Sequence, residues 1–129
     1  MADIKLTVAV LPERFAVSRL APSEDVPAWA TRPPVFSVTR TRDELSIVCP
    51  EENVPADVKC ARGWRAFRLV GTFDFVMTGI LASLAGPLAR EGVSIFCFST
   101  YDTDYVMVRA DQLEQAKAAL TKRGHTIAP

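Results

Sequence analysis

Histidine occurs once in this chain, at His125, and no serine-hydrolase GxSxG, Walker loop or HExxH helix is present. Acyl transfer on a serine, phosphate cradling by a glycine loop and zinc proteolysis therefore lack the groups they need. A Cys97–His125 dyad is conceivable, but no third group is apparent to orient it. No enzyme is expected. An excess of one charge is missing too: 15 basic residues face 15 acidic ones. A protein that neutralises several phosphates carries a basic surplus, so nucleic acid is not an expected partner. Near-zero net charge weakens colloidal repulsion and mildly favours self-association. No apolar run reaches the roughly 18–20 residues of a membrane helix, so no membrane partner is expected. The opening MADIKLTVAV has neither a basic n-region nor a long apolar h-region, and a cytoplasmic location is expected. Cys49, Cys60 and Cys97 are odd in number and far apart, which suits buried reduced thiols rather than a disulfide framework or a CxxC metal clip.

What is present is an ordinary folding composition, 49% hydrophobic and 23% charged over 129 residues, with a weak internal repeat. Shifting the chain against itself by roughly 60 positions sets Phe36–Val48 against Phe96–Val108, each an apolar strand, a polar turn and a second apolar strand. The same shift sets Ile4–Leu11 against Trp64–Gly71. Two modules follow, residues 1–61 and 62–129, joined near Cys60 to Gly63.

The second copy is the more complete. Trp64–Val70 reads as a strand and Gly71 to Asp74 as a turn. The spacing of Ile80, Leu81, Leu84 and Leu88 predicts a helix over 78–90, closed by Gly92 in a left-handed cap. Pro87 lies inside it and should bend it or, lacking an N–H, free the carbonyl of Ser83. Val93–Thr100 and Asp104–Arg109, joined by a short polar turn, read as a hairpin. Asp111 and Glu114 suggest a capping box for a second helix with Leu113, Ala116 and Leu120 on its apolar face, ended by Gly124. A short strand from His125 to Ala128 completes βαββαβ, the ferredoxin-like order. The first copy is abbreviated. Leu6 to Leu20 reads as a hairpin around Pro12 and Glu13, with a short helix near Val26–Ala30 and another within Glu51–Cys60, starting near Val54 and Pro55. The fold class is α+β: two tandem ferredoxin-like modules, the first abbreviated, sharing an antiparallel sheet and core.

The run from Leu69 through Gly71, Thr72, Phe73, Asp74 and Phe75, then Thr78–Ala82, Pro87, Gly92–Phe96 and the hairpin Ser99–Tyr105, resembles the ACT domain. The likeness is strongest to small two-module bacterial ACT proteins related to the CASTOR arginine sensors. It covers about half the chain, with Phe36–Pro50 a fainter match to the first module. The resemblance implies a non-catalytic regulatory protein that binds a free amino acid at an interface between paired ACT modules, without a cofactor or metal. It places the ligand's amino and carboxylate groups against Gly71, Thr72, Phe73, Asp74, Thr78 and Gly79. Ile95, Phe96, Cys97 and Phe98 lie opposite, and Ser99, Thr100, Asp102 and Asp104 close nearby. A homodimer or a regulated protein of unknown identity is the further partner implied. The first module's counterpart, Leu11 to Arg14, has no glycine, so a second equivalent site is not expected there.

The residue chemistry agrees. A glycine between strand and helix lets backbone amides approach a ligand, and a helix N-terminus offers free N–H groups to a carboxylate. Asp74, Asp102 or Asp104 could face an ammonium group, favouring a zwitterionic or cationic amino acid. The Asp102–Asp104 spacing would also admit a divalent cation, but turn acids are usually solvated. Phe96 and Phe98 admit a base-stacking sheet, which the absent basic surplus disfavours. Lys59, Arg62, Arg65 and Arg68 read as a solvated edge. The competing function is a ligand-free module that docks a protein through its sheet edge or a helix face.

Overall fold

Eight strands and two α-helices form among the described residues, which are 4–71 and 78–129 of a computed structural model. The strands are β1 (Thr7–Val10), β2 (Phe15–Leu20), β3 (Ser37–Arg40), β4 (Leu45–Pro50), β5 (Cys60–Leu69), β6 (Ile95–Ser99), β7 (Asp104–Arg109) and β8 (Thr126–Ile127). The helices are α1 (Ile80–Arg90) and α2 (Leu113–Lys122). The architecture is mixed α+β. None of the described helices is long and apolar enough to cross a membrane. Contacts divide the chain into a middle unit, Glu13–Trp64, and a flanking unit made of Met1–Pro12 and Arg65–Pro129.

In the middle unit β4 pairs antiparallel with β3 on one side and β2 on the other, and β2 also pairs with the first half of β5. A β-bulge interrupts that last pairing: Phe15 faces Trp64 but Val17 faces Ala61. Leu45, Ile47 and Cys49 alternate along β4 and pack with Ala16, Ala30 and Val54. The expected β3–β4 hairpin forms. The helix expected near Val26–Ala30 is a short 3-10 turn, Ala28–Thr31, and no helix starts near Val54 and Pro55, where a 3-10 turn, Glu51–Asn53, has already ended. Prolines close behind each turn, Pro33 and Pro34 after the first and Pro55 after the second, bias the residue before them away from helix and leave no room for an α-helical ladder. The second turn is pinned by its glutamate: Glu51 Oε1 accepts the Gly63 N–H at 2.9 Å, and Oε2 accepts from Arg14 Nε at 3.3 Å.

In the flanking unit the element order after β5 is α1, β6, β7, α2, β8. Strand β7 lies between β6 and β5, and β5 pairs antiparallel with β1. Strand β1 in turn pairs parallel with β8, Thr7 facing Thr126 and Val8 facing Ile127. The proposed Leu6–Leu20 hairpin is therefore absent, and the cut between residues 61 and 62 differs from the observed division, since β1 belongs with the C-terminal elements. The physical reason is burial. Leu6 and Val8 enter one core with Phe67, Leu69, Val106 and Val108, under Leu84 and Leu88 of α1 and Ala116 and Leu120 of α2. Period-two apolar alternation identifies the buried face of a strand but not its partner.

Helix α1 closes as its sequence suggests, with Gly92 at φ 72° and Val93 N–H donating to Leu88 O at 2.9 Å. The capping box before α2 does not form. Asp111 sits in a 3-10 turn, Ala110–Gln112, and the helix starts beyond it with Gln112 as a cap residue that makes no capping hydrogen bond. The turn itself satisfies the helix start, Leu113 N–H bonding to Ala110 O, while Glu114 pairs with Lys117 at 3.2 Å.

Candidate functional site

The end of β5, the start of β1, the β6–β7 turn and the start of α1 gather at one end of the flanking unit's sheet. Because β1 and β5 are antiparallel, the C-terminal end of β5 meets the N-terminal end of β1, and Val70 N–H bonds to Thr7 O at 2.9 Å. Gly79, at the head of α1, packs toward the same end: a Cβ built on it would sit 3.3 Å from Ile4 Cδ1. Its φ of 78° is a second reason for glycine, since L side chains are strained there. Gly79 is also the N-cap of α1 and supplies no side-chain hydrogen bond, and no acidic residue occupies the first turn.

The β6–β7 turn is held to this end by a residue outside the expected set. Thr103 is buried, and its Oγ1 donates to Leu69 O at 2.8 Å, two residues before Gly71. Its carbonyl accepts the Thr100 N–H at 2.8 Å, and Ser99 Oγ donates to Asp104 Oδ1 across the strand pair. Sequence could flag Thr103 only as one of several turn threonines, because its acceptor lies 34 positions away.

Gly71, Thr78 and Gly79 are exposed, as is Asp102 at the hairpin tip. Ser99, Thr100 and Asp104 lie in the hairpin beside Leu69. Thr72, Phe73 and Asp74 lie outside the described residues. Ile95 and Cys97 pack against the helix-covered core, which by strand alternation turns Phe96 and Phe98 to the other face. There Phe98 stacks on its cross-strand neighbour Tyr105, with ring centroids 4.8 Å apart and planes 5° from parallel. Thus β6 contributes core packing on one face and an aromatic pair on the other.

Cys97 packs against the core and His125 is hydrogen-bonded through both ring nitrogens. Burial, reinforced by the Asp104 charge, pushes the Cys97 thiol above its ordinary range and suppresses the thiolate a nucleophile needs. His125 is buried and uses both ring nitrogens: Nδ1 accepts the Leu6 N–H at 3.1 Å, and Nε2 lies 2.8 Å from Ser83 O. Those partners define the Nε2–H tautomer, with Nε2 as donor to the carbonyl. The freed carbonyl of Ser83 is therefore real, and histidine fills the place of the missing Pro87 N–H. Of the basic row, Arg62 donates to the carbonyls of Glu51 and Val54, and Arg65 to Leu11 O at 3.0 Å. No group of three or more metal-ligating side chains converges among the described residues.

Comparison with known proteins gives these features a context. The family model described as ACT domain matches residues 59–122, and a second model, of an N-terminal domain, matches residues 13–57. Protein Atu0741 from Agrobacterium tumefaciens, a solved structure, is 39% identical with a TM-score of 0.92, covering 97% of this chain and 93% of its own. The cytosolic arginine sensor for mTORC1 subunit 1 from Rattus norvegicus is 30% identical over 107 residues, which is 77% of this chain and 32% of the sensor. This chain thus spans about a third of that sensor's length. The regulatory subunit of aspartate kinase from Thermus flavus shares the fold at 13% identity, with a TM-score of 0.64 over 93% of this chain and 99% of the subunit.

Proposed function

Since this chain belongs to the ACT domain family, its match running over residues 59–122, we propose that it is a non-catalytic sensor or regulatory protein whose flanking unit binds a free amino acid. The observation that carries this reading is the convergence at one end of a sheet of a helix N-terminus whose cap residue is glycine and a hairpin bearing acids. A ligand carboxylate would take the first-turn amides of α1 beyond Thr78 and Gly79, with Gly71, Thr72, Phe73 and Asp74 as the enclosing loop. Asp102 or Asp104 would face the ammonium group, which favours zwitterionic and cationic amino acids. Arginine, named for the rat relative, heads the panel.

In the same reading the flanking unit is a ferredoxin-like module with β1 inserted between β5 and β8, and the middle unit is its helix-poor counterpart. Ligand binding would favour one arrangement of this protein with a second copy or a regulated partner, by no more than the ligand's differential affinity. The competing reading, a ligand-free docking module, draws on β6, which pairs only with β7 among the described residues and carries half-buried Phe96 and Phe98.

The test is a thermal-shift screen against the twenty amino acids. A ligand at about a hundred times its dissociation constant adds roughly 2.7 kcal/mol of stability. A selective upward shift that disappears in a folded Asp104→Asn or Gly79→Val variant supports amino-acid sensing. A flat response across the panel at millimolar concentration refutes it and favours the docking module.

A further inference from the structure

Leu69 is the last residue of β5, and its carbonyl turns away from β1. Backbone groups of successive strand residues face opposite edges. Val70 N–H bonds to Thr7 O at 2.9 Å on the β1 side, so the neighbouring Leu69 O faces the edge that β7 occupies. At that end β7, which begins at Asp104, has given way to the β6–β7 turn, and a side chain supplies the donor. Thr103 Oγ1 bonds to Leu69 O at 2.8 Å. Thr103 is 9% exposed, so little water reaches the bond to compete for it.

The other hydrogen bonds of the turn close on the hairpin itself. Thr100 N–H donates to Thr103 O at 2.8 Å, Thr103 N–H to Thr100 Oγ1 at 3.3 Å, and Ser99 Oγ to Asp104 Oδ1. These bonds shape the hairpin without fixing where it lies. The Thr103 hydroxyl does fix it, reaching across 34 positions of sequence to the strand that leads into Gly71. An amino acid held between Gly71, the head of α1 and the hairpin acids needs those parts at a set separation. Holding a loop in its bound position beforehand lowers the ordering cost of binding.

We propose that Thr103 is a positioning residue for ligand binding: without touching the ligand, its hydroxyl fixes Asp102 and Asp104 relative to Gly71 and the head of α1. The proposal rests on the amino-acid reading of this end of the sheet. A hydroxyl that supports only the fold changes the melting temperature and leaves the affinity of folded protein unchanged. A positioning hydroxyl changes the affinity itself, because only molecules with the hairpin docked on β5 bind.

Thr103→Val keeps the shape of the side chain and removes its donor, whereas Thr103→Ser keeps the donor. Leu120→Val, a lesion in the core at α2, serves as the control for general destabilisation. Wild type and the three variants are titrated calorimetrically with free arginine and then each of the other nineteen amino acids, at a temperature where all are folded. Thr103→Val should bind about fivefold or more weakly, and Thr103→Ser and Leu120→Val within about twofold of wild type. In the wild type, saturating ligand should also slow hydrogen exchange of the Thr100 and Thr103 amides several-fold, a measurement that does not depend on any variant folding. Equal affinity in wild type and Thr103→Val, an equal loss in Leu120→Val, or hairpin amides whose exchange ignores the ligand overturns the positioning role and leaves the amino-acid site standing. Wild type that binds none of the twenty overturns both.

Discussion

His125 and Pro87 should be energetically coupled, because one side chain replaces what the other removes. In an uninterrupted helix the N–H of residue 87 would bond to the carbonyl of Ser83; proline has none, and His125 Nε2 takes the place at 2.8 Å. The same ring accepts the Leu6 N–H at 3.1 Å, so it joins β1 to α1 from the end of α2. His125→Ala leaves a buried donor and a buried acceptor without this partner, at about 1–3 kcal/mol each, so a loss of about 2–6 kcal/mol is expected. Pro87→Ala restores an N–H aimed at Ser83 O. In that background the histidine should matter less, by about the value of one hydrogen bond, roughly 1 kcal/mol. Urea unfolding of the four proteins at pH 8 measures this cycle. Helical circular dichroism reports the flanking unit, which holds both α-helices, and tryptophan fluorescence reports the middle unit, which holds Trp29 and Trp64. Additive effects within about 0.5 kcal/mol would refute the shared-acceptor argument.

Two further expectations concern the cores. Burial, with a smaller contribution from Cys60 and partial relief from Arg62, pushes the Cys49 thiol up from 9.0 to about 11. Its folded-state pKa is raised, so the stability it contributes is complete below pH 9 and drains away as pH rises toward 11. Cys49→Val should flatten the alkaline decline in urea stability by at most about 2–3 kcal/mol, and a decline of unchanged steepness would contradict the assignment. Leu84 is 1% exposed in the flanking core, and Leu84→Ala should cost about 2–5 kcal/mol in the same unfolding assay. A loss below about 1 kcal/mol would mean that the α1 face is not packed as described.

Local pattern was enough for the second half of the molecule. The helical spacing of Ile80, Leu84 and Leu88, the glycine stop at Gly92 and the hairpin around Asp102 are near-neighbour signals, and each element forms within a few residues of its expected bounds. The orphaned carbonyl of Ser83 was legible for the same reason, since a proline removes a particular donor. The proposed binding residues were legible only as a resemblance in sequence; their grouping depends on Thr103 reaching Leu69, and on Gly79 packing beside Ile4. Those partners are 34 and 75 positions apart, and no periodicity encodes them.

Sequence by itself determined which faces are apolar, where helices stop and which backbone groups lack a ladder partner, because these follow from side-chain type and spacing along a few turns. Tertiary structure decided the rest. It alone placed β1 between β5 and β8 and turned His125 from a candidate base into a link between Leu6 and Ser83. Each depends on which surfaces meet when one core closes. That choice is made by the summed burial of residues distant in the chain, not by any short segment of it.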